Sequence, residues 1–372
     1  MTRVGFVIEH SLGHVTFKSM LQRAVDADPE IEPSWFLVEP DDMSWPATLR
    51  PFRHNYTAQA SITARRLLGR APRLDVLFLH TQTLMLLMGR LLGQVPGVLS
   101  TDATPRNIDE VGDGYWHFPG HPVAEELKRR AMGAAVRRAA YVVPWNHWAR
   151  RSLVSDYGVE RSRCQVLAPG IDLSSWAPVE RPAPAGPPGR PLRLLFVGGQ
   201  FDRKGGPELV EALSRLRSPW ECDVVTRDDV PALAGLRAHR GLRQGDGQLR
   251  RLFREADVFV LPTRGDAMPW AVLEAMASGL PVVTTGVGAV PELVEDGRTG
   301  LIVPPRDAGA LAGALGQLAS APGRRTRMGQ LGRQRVERHF DASVNTAKLL
   351  ALVKQAARRH QGRPGGRLRG VR

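Results

Sequence analysis

Two carboxylates, Asp266 and Glu274, flank the start of an apolar helical pattern in the segment GDAMPWAVLEAMASGLPVV (265–283). Proline is favoured at a helix start, as at Pro269, and Gly279 followed by Pro281 is a stop signal. Apolar residues occupy every face between these signals, which predicts a buried helix. A carboxylate at position 274 must then find hydrogen-bond donors or shift its pKa.

Glu274 has two interpretations from the residues alone: it pairs with a structural arginine, or it belongs to a ligand site. The helix start favours the second. Met268, just before the proline, is a poor N-cap, which leaves the amides of Trp270 and Ala271 to bind something else. Amides at a helix N-terminus favour an anion such as phosphate. The pattern suits a nucleotide, with its diphosphate on the amides and its ribose hydroxyls on Glu274.

A second candidate is the loop GGQFDRKGG (198–206), which places Arg203 and Lys204 beside flexible glycines after a strand-like run. Its spacing matches neither a P-loop nor a dinucleotide fingerprint. By itself the loop could equally be a solvated turn. The segment EHSLGHV (9–15) follows the first strand-like run, and its Gly13 would let the backbone approach a phosphate, although that signal alone is weak.

Length and composition set the class of protein. The chain has 372 residues, enough for two domains, with 42% hydrophobic and 24% charged residues, as in globular proteins. The opening MTRVGFVIEH enters a strand pattern at once, and no apolar run has the length of a signal-peptide core or a membrane span. Cys164 and Cys222 lie far apart without metal-ligand spacing. We therefore expect buried thiols, no metal site and a cytoplasmic location.

The formal net charge is +14, and only five of the basic residues are lysines. This excess is either compositional or an attraction to something anionic. No zinc-finger, RNP or basic-zipper pattern occurs, so nucleic acid is not an expected partner. The stretch AEELKRRAMGAAVRRAA (124–140) predicts a basic helix. Its cations, Lys128, Arg129, Arg130, Arg137 and Arg138, either form a solvated face over core-facing Leu127, Ala131 and Ala135 or, with ARRLLGR (64–70), contact anionic lipid.

Short apolar runs alternate with helical patterns on both sides of PVERPAPAGPPGRP (178–191), a Pro- and Gly-rich segment typical of a linker. This alternation predicts α/β domains with parallel sheets. The strand candidates are RVGFVI (3–8), PSWFLV (33–38), DVLFLH (75–80), GVLST (97–101), AYVVP (140–144) and CQVLA (164–168) before the linker, and LRLLFVGG (192–199), CDVVT (222–226), DVFVLP (257–262), LPVVTT (280–285) and TGLIVPP (299–305) after it. Ligands of such sheets bind outside the carboxyl ends of the strands.

These motifs together resemble the retaining GT-B glycosyltransferases of glycosyltransferase family 4. That family has two acidic residues with seven between them, followed by EAMA-x-G-x-PVV; here Asp266 and Glu274 have that spacing and EAMASGLPVV follows. The segments GAVPELVEDGRTGLIVPPRD, SLVSDYGVERSRCQVLAPGIDLSSW and FVGGQFDRKGG resemble further family motifs. The resemblance is strong over about 140–340 and loose over the first 135 residues.

The resemblance implies the GT-B fold: two Rossmann-like α/β domains facing across a deep cleft. The expected organisation is an N-terminal acceptor-binding domain at 1–177, the linker at 178–191 and a C-terminal nucleotide-sugar-binding domain at 192–340. A C-terminal helix at 341–360 would pack back towards the N-terminal domain, and a disordered basic tail would follow at 361–372.

The resemblance also implies roles for individual residues. Glu274 would hold the ribose hydroxyls, and Trp270 and Ala271, after Met268 at the helix start, would give amides to the diphosphate. Gly13 would lie against the phosphates from the opposite domain. Lys204, with Arg203, would neutralise the leaving diphosphate, and Asp266 would contact sugar hydroxyls.

Three positions depart from the family pattern. Asp266 stands where the family usually has glutamate, so its carboxylate reaches less far. Gly199 stands where the family often has arginine, and Arg203 could supply that charge. The family often has a histidine beside the transferred sugar, where this chain has Asp102 in TDATP (101–105). Asp102 could receive a hydroxyl of the sugar or acceptor, or merely cap a turn.

The implied reaction transfers a sugar, with retention, from a UDP- or GDP-sugar to an acceptor hydroxyl of a glycan, lipid or small natural product. Oriented amides and cations would stabilise the charge on the departing diphosphate, so no metal and no cofactor beyond the nucleotide-sugar substrate is required. The alternative is a catalytically weak GT-B domain that acts as a binding scaffold. A weak contact with the anionic inner membrane face is a further expectation.

Overall fold

A computed structural model describes residues 1–11, 13–40, 56–112, 122–176 and 190–361. They form two compact units. Unit 1 takes its described residues from 1–110, 122–169 and 343–361, and unit 2 from 111–112 and 170–342. The domain boundaries expected from the sequence stay a prediction, because most of the linker at 178–191 and of the tail at 361–372 lies outside the described residues.

Unit 1 is built on a five-stranded parallel sheet with strand order β2-β1-β3-β4-β5. Its strands are β1 (Thr2–Glu9), β2 (Ile31–Val38), β3 (Val76–His80), β4 (Gly97–Thr101) and β5 (Tyr141–Pro144). Its helices are α1 (Gly13–Asp26), α2 (Tyr56–Leu68), α3 (Pro105–Val111), α4 (Pro122–Val136) and α5 (His147–Ser155), with 3₁₀ turns at Gln82–Leu87, Leu91–Gly93 and Arg161–Arg163. The central strands are apolar on both faces because helices cover both sides of the sheet.

The sixth strand expected in unit 1, at 164–168, does not form. The chain there makes an isolated bridge between Val142 and Cys164, with hydrogen bonds from the amides of Gln165 and Leu167 to the carbonyls of Val142 and Pro144. Pro144 has no amide hydrogen to return a bond, so the ladder ends after this short pairing.

Unit 2 has a six-stranded parallel sheet with strand order β11-β10-β9-β6-β7-β8. Its strands are β6 (Leu192–Val197), β7 (Trp220–Val225), β8 (Leu236–His239), β9 (Val258–Leu261), β10 (Val282–Thr285) and β11 (Gly300–Val303). Its helices are α6 (Gly206–Arg215), α7 (Gly247–Glu255), α8 (Trp270–Ala277), α9 (Val290–Leu293), α10 (Ala308–Ser320) and α11 (Pro322–His339). The edge strand β8 is absent from the sequence expectation because its four residues, LRAH, are exposed or half-buried and carry no apolar run.

The last helix, α12, spans Ala342–Gln361. Lys354 on this helix donates from Nζ to Asp28 over 2.9 Å and to Glu30 over 2.6 Å. These ion pairs attach the helix to the loop between α1 and β2 of unit 1.

Strand order reverses once in each sheet, between β1 and β3 in unit 1 and between β6 and β9 in unit 2. At such a switch point the two flanking loops leave in opposite directions and open a crevice at the carboxyl edge, where ligands of open α/β sheets bind. The loops after β1, β3, β6 and β9 therefore define where a site can form.

The basic helix differs from its expected orientation. Helix α4 ends at Val136, and its buried residues include Met132, Ala135 and Val136, whereas Leu127 is 62% exposed and Ala131 is also exposed. The predicted core-facing role was therefore wrong for Leu127 and Ala131. The buried stripe of α4 begins at Met132, later in the helix than the sequence pattern suggested, and belongs to the apolar cluster that includes Leu84 and Met85 of the 3₁₀ turn Gln82–Leu87.

The five cations of this region all have protein partners. Lys128 pairs with Glu125, and Arg129 and Arg130 both pair with Glu126. Beyond the end of α4, Arg137 and Arg138 donate to the carbonyls of Tyr157 and Gly89, each over 2.8 Å. Among the described helices, none is long and apolar enough to cross a membrane.

Candidate active site

Lys204 and Asp266 form an ion pair at the switch point of unit 2. Lys204 lies in the loop between β6 and α6, and Asp266 in the loop between β9 and α8. The two residues are 62 positions apart, but β6 and β9 are adjacent parallel strands, so their carboxyl ends bring the loops together. The side chains of Lys204 and Asp266 are only 12% and 9% exposed.

Backbone geometry fixes the loop that carries Lys204. Gly205 has φ of 82°, and a Cβ at this position would lie 1.9 Å from the carbonyl oxygen of Pro262. Only glycine satisfies both conditions, because L side chains disfavour this backbone region and no space remains. The amide of Lys204 donates to the carbonyl of Gln200, and that of Gly206 donates to the carbonyl of Phe201.

Burial lowers the pKa of Lys204, and the neighbouring carboxylate of Asp266 opposes that change. As an ion pair the two side chains carry no net charge. Arg203 donates from Nη1 to the carbonyl of Gly265 over 2.6 Å and from Nε to Oε1 of Gln200 over 2.5 Å.

Helix α8 begins one residue later than the sequence suggested. Pro269, with φ of −72° and ψ of 117°, is the N-cap, so Met268 is not in that position. The extended backbone of Pro269 explains the difference, since a residue with that ψ lies outside the helix. Trp270 and Ala271 are the first two helical residues, both half-buried, and no side chain caps this end.

Glu274 is buried, with 4% of its surface exposed. Oε1 accepts a hydrogen bond of 2.7 Å from Nε2 of Gln244, and no arginine pairs with Glu274 in the part of the chain that the structure describes. Burial raises the pKa of this carboxyl group to about 7, although the bond from Gln244 acts to lower it. The interpretation of Glu274 as the partner of a structural arginine was therefore wrong. Gln244 lies in the loop before α7, where no motif pointed to it.

Unit 1 has a buried carboxylate of its own, Glu9, at its switch point. Glu9 ends β1 and accepts hydrogen bonds from hydroxyl groups on three other segments. The donors are Tyr56 and Thr81 at 2.7 Å, Thr83 at 2.5 Å and Ser11 at 3.2 Å. Burial acts to raise the pKa of Glu9, but His14 and the hydroxyl donors outweigh it and hold the pKa below its usual range. The sequence analysis missed this cluster, because its donors come from separate elements.

The remaining predicted residues of unit 1 lie at the same edge of its sheet. Gly13 begins α1, and the ring of the following His14 lies 4.7 Å from that of His80 at the end of β3. Asp102 follows β4. Burial raises its pKa, opposed by His14 and by the backbone amides of Asp102 and Ala103. Both interpretations of Asp102, the contact with a hydroxyl of the sugar or acceptor and the turn cap, stay predictions, as does the contact of Gly13 with phosphates.

Gly199 lies two residues beyond the end of β6, and the guanidinium of Arg227 packs over it. Both cysteines, Cys164 and Cys222, are free and buried, as expected. Within the described ranges, no group of three or more His, Cys, Asp or Glu residues could hold a metal ion.

Two α/β units, each with a parallel sheet and polar loops at its switch point, are typical of the GT-B fold. Solved structures share this fold. Sucrose-phosphate synthase from Thermosynechococcus elongatus aligns with a TM-score of 0.74 at 18% identity, covering 95% of this chain and 99% of that one. The Anabaena protein HepE in complex with UDP-glucose aligns with a TM-score of 0.69 at 13% identity, covering 95% and 100%. The predicted fold class is confirmed.

Residues 191–321 match the family model of glycosyl transferases group 1. Glycogen synthase of Mycobacterium tuberculosis is 31% identical over 229 residues, which cover 57% of this chain and 53% of the relative. The chain spans about half the length of the curated relatives it matches. The family resemblance read from Asp266, Glu274 and the segment after them is thereby confirmed, while retention and membership of family 4 stay predictions.

Proposed function

We propose that the chain is a retaining glycosyltransferase that moves a sugar from a nucleotide-diphosphate sugar, a UDP- or GDP-sugar, to an acceptor hydroxyl. The observation that carries this proposal is the convergence of Lys204, Asp266 and the start of α8 at one switch point, with the buried Glu274 in the same helix. The family match over 191–321 and the UDP-glucose complex of HepE support it.

Each part of unit 2 has a role in this reaction. The ribose hydroxyls donate to Glu274, and the amides at the start of α8, from Trp270 and Ala271, receive the diphosphate. Breaking the bond between the sugar and the diphosphate leaves negative charge on the departing phosphate, which Lys204 and Arg203 stabilise. Asp266, held beside Lys204, orients a sugar hydroxyl.

The state of Glu274 suits nucleotide binding. With one hydrogen bond from Gln244 and a pKa raised to about 7, this carboxyl group gains from any further donor. Ribose hydroxyls would bond the ionised form and lower its pKa. Nucleotide binding and ionisation of Glu274 therefore favour each other.

A panel of nucleotides tests the proposal. Thermal shift is measured with UDP, GDP and ADP and with their sugars, with and without EDTA, because the proposal requires no metal. A bound ligand at about 100 times its Kd adds about 2.7 kcal/mol of stability. A shift with one diphosphate series that survives EDTA is expected. No shift with any of them would overturn the proposal, and a shift that EDTA abolishes would overturn its metal-free part.

A catalytically weak domain that serves as a binding scaffold is the alternative, and turnover separates the two. A live transferase slowly hydrolyses its nucleotide sugar without acceptor, whereas a scaffold binds the nucleotide and releases no sugar. We expect slow hydrolysis. The acceptor class, glycan, lipid or small natural product, follows from a screen with the donor that the panel identifies.

A cytoplasmic location and a weak contact with an anionic membrane surface complete the proposal. Val123 and Leu127, 61% and 62% exposed, lie one turn apart on α4, and Arg130 follows on the same face. Exposed apolar side chains beside a cation suit the surface of an anionic membrane.

A further inference from the structure

Two consecutive glycines after β6 each lie under a cationic side chain. A Cβ at Gly198 would lie 2.7 Å from Cγ of Lys204. At Gly199, a Cβ would lie 3.0 Å from Nη2 and 3.3 Å from Nε of Arg227, and the three atoms nearest to it all belong to Arg227. The pair of glycines therefore leaves room for the stem of Lys204 on one residue and the guanidinium of Arg227 on the next.

Sheet topology explains how Arg227 reaches Gly199. Strand β7 ends at Val225 and is the parallel neighbour of β6, with the amide of Gly198 bonded to the carbonyl of Val225 over 2.9 Å. Arg227 thus emerges at the carboxyl edge of the sheet, one strand away from the loop that holds Lys204. The same edge carries the switch point between β6 and β9.

Arg227 is an exposed residue, and its guanidinium forms no hydrogen bond or ion pair with any residue of the described ranges. The two acids that follow it are engaged elsewhere: Asp228 accepts from the amide of Phe201 over 2.6 Å, and Asp229 pairs with Arg240. Asp228 keeps its negative charge, but within the described residues neither acid forms an ion pair with Arg227, so its guanidinium has no ion-pair partner there.

The negative charge of a diphosphate exceeds the positive charge that Lys204 can supply. Asp266 already neutralises Lys204, so this pair alone cannot balance a diphosphate. Guanidinium groups bind phosphate oxygens through two parallel hydrogen bonds, and their charge does not depend on pH in the physiological range. A guanidinium against Gly199, at the same sheet edge as the loop of Lys204 and without an ion-pair partner among the described residues, is suited to a phosphate anion.

We propose that Arg227 is a further cation that binds the donor diphosphate. Its guanidinium lies in the space that the missing side chain at Gly199 leaves open. This inference rests on the proposed function, because it names a binding residue for the same donor. It also assigns the compensating charge for Gly199 to the loop after β7, whereas the sequence alone suggested Arg203.

The test compares binding of UDP, UMP and uridine, or of the guanosine series if the panel selects it, by calorimetry. Arg227→Ala is expected to weaken diphosphate binding by about 10- to 100-fold, because hydrogen bonds to charged groups are lost. Nucleoside binding is expected to stay unchanged. Arg217→Ala is the matched control, because it removes an exposed arginine just before β7, at the opposite edge of the same sheet.

A double variant that moves the guanidinium from position 227 to position 199 provides a second test. Gly199 does not have the positive φ that would exclude a side chain, so Gly199→Arg combined with Arg227→Ala restores a guanidinium at the same place. This double variant is expected to bind the diphosphate at least tenfold more tightly than Arg227→Ala does. Thermal unfolding without ligand should be the same in Arg227→Ala and Arg217→Ala.

The outcomes separate this inference from the function on which it rests. If wild type binds the diphosphate and Arg227→Ala binds it equally well, the inference fails and the proposed function stands. An equal loss for diphosphate and nucleoside in Arg227→Ala would also overturn the inference, because it would indicate a disturbed fold. If wild type binds no nucleotide, both fail together.

Discussion

The side-chain amide of Gln244 donates a 2.7 Å hydrogen bond to Oε1 of Glu274, across 30 positions of sequence. This bond joins the loop before α7 to the middle of α8 and gives the carboxylate a single neutral donor. A buried carboxylate with so little support is costly to ionise, which is why burial raises its pKa to about 7. The arrangement lowers the stability of the folded protein but provides a hydrogen-bond acceptor that a ligand with several hydroxyl groups can use.

Glu274→Gln should stabilise the free protein at high pH and weaken nucleotide binding. The folded-state pKa of Glu274 lies above its ordinary value of 4.5, so its contribution to stability is present below about pH 4.5 and is lost as pH rises through about 7. The loss amounts to about 3 kcal/mol. Urea unfolding of both proteins between about pH 5 and about pH 8 should show the stability difference growing with pH.

Gln244→Leu serves as the companion variant to Glu274→Gln. Removing the donor that lowers the pKa of Glu274 should move the pH-dependent loss of stability to higher pH.

Binding of the nucleotide should fall by roughly 10-fold or more in Glu274→Gln, since hydrogen bonds to a charged acceptor contribute about 1.5–3 kcal/mol. Equal pH profiles for wild type and Glu274→Gln would refute the assignment of the raised pKa to this residue.

Lys204→Met should lower turnover by roughly 10²–10³, the usual effect of losing one charge-stabilising group. It should also destabilise the fold by about 3–5 kcal/mol, because the buried Asp266 is left unpaired. Combining it with Asp266→Asn removes that unpaired charge, so much of the stability should return while turnover stays low. A change in KM alone would show that Lys204 binds the donor without stabilising the departing diphosphate.

Gly205→Ala should destabilise the protein by about 2–4 kcal/mol, since it places a Cβ against the carbonyl of Pro262 in a left-handed backbone. The displaced loop should also lower turnover through Lys204. Gly313→Ala is the matched control: it lies in α10, where an added Cβ meets no atom within 4 Å, and it should stabilise the helix by about 0.5–1 kcal/mol. Similar denaturation midpoints for the two variants would contradict the strain assigned to Gly205.

Co-sedimentation with vesicles tests the proposed membrane contact of α4. Wild type should bind anionic vesicles at low salt, bind neutral vesicles poorly and dissociate at high salt, because each basic residue adds about 1 kcal/mol at such a surface. Replacing Val123 and Leu127 by serine should weaken binding without destabilising the fold, since both side chains are exposed. If binding is absent at low salt, or does not depend on lipid charge, the proposed membrane contact is wrong and the net charge reflects only amino-acid composition.

The sequence alone determined the local elements and the chemical character of several positions. Strand–helix alternation predicted the parallel sheets, and the apolar pattern around Glu274 predicted a buried carboxylate, which the structure confirms. These features depend on residues close together in the chain, where periodicity reports directly which face is buried. The same reasoning failed for Leu127 on α4, because the side of a helix that is buried depends on the distant segments that pack against it, here the 3₁₀ turn Gln82–Leu87.

The tertiary structure decided which residues meet. Lys204 pairs with Asp266, Gln244 donates to Glu274, and Arg227 covers Gly199, across separations that no spacing in the sequence reveals. The first and third of these contacts follow from strand order: β6 lies between β9 and β7, so loops that are distant in the chain leave the sheet at adjacent carboxyl ends. Local patterns fix the elements because they act within a few residues, whereas these contacts arise only when the sheet places its strands side by side.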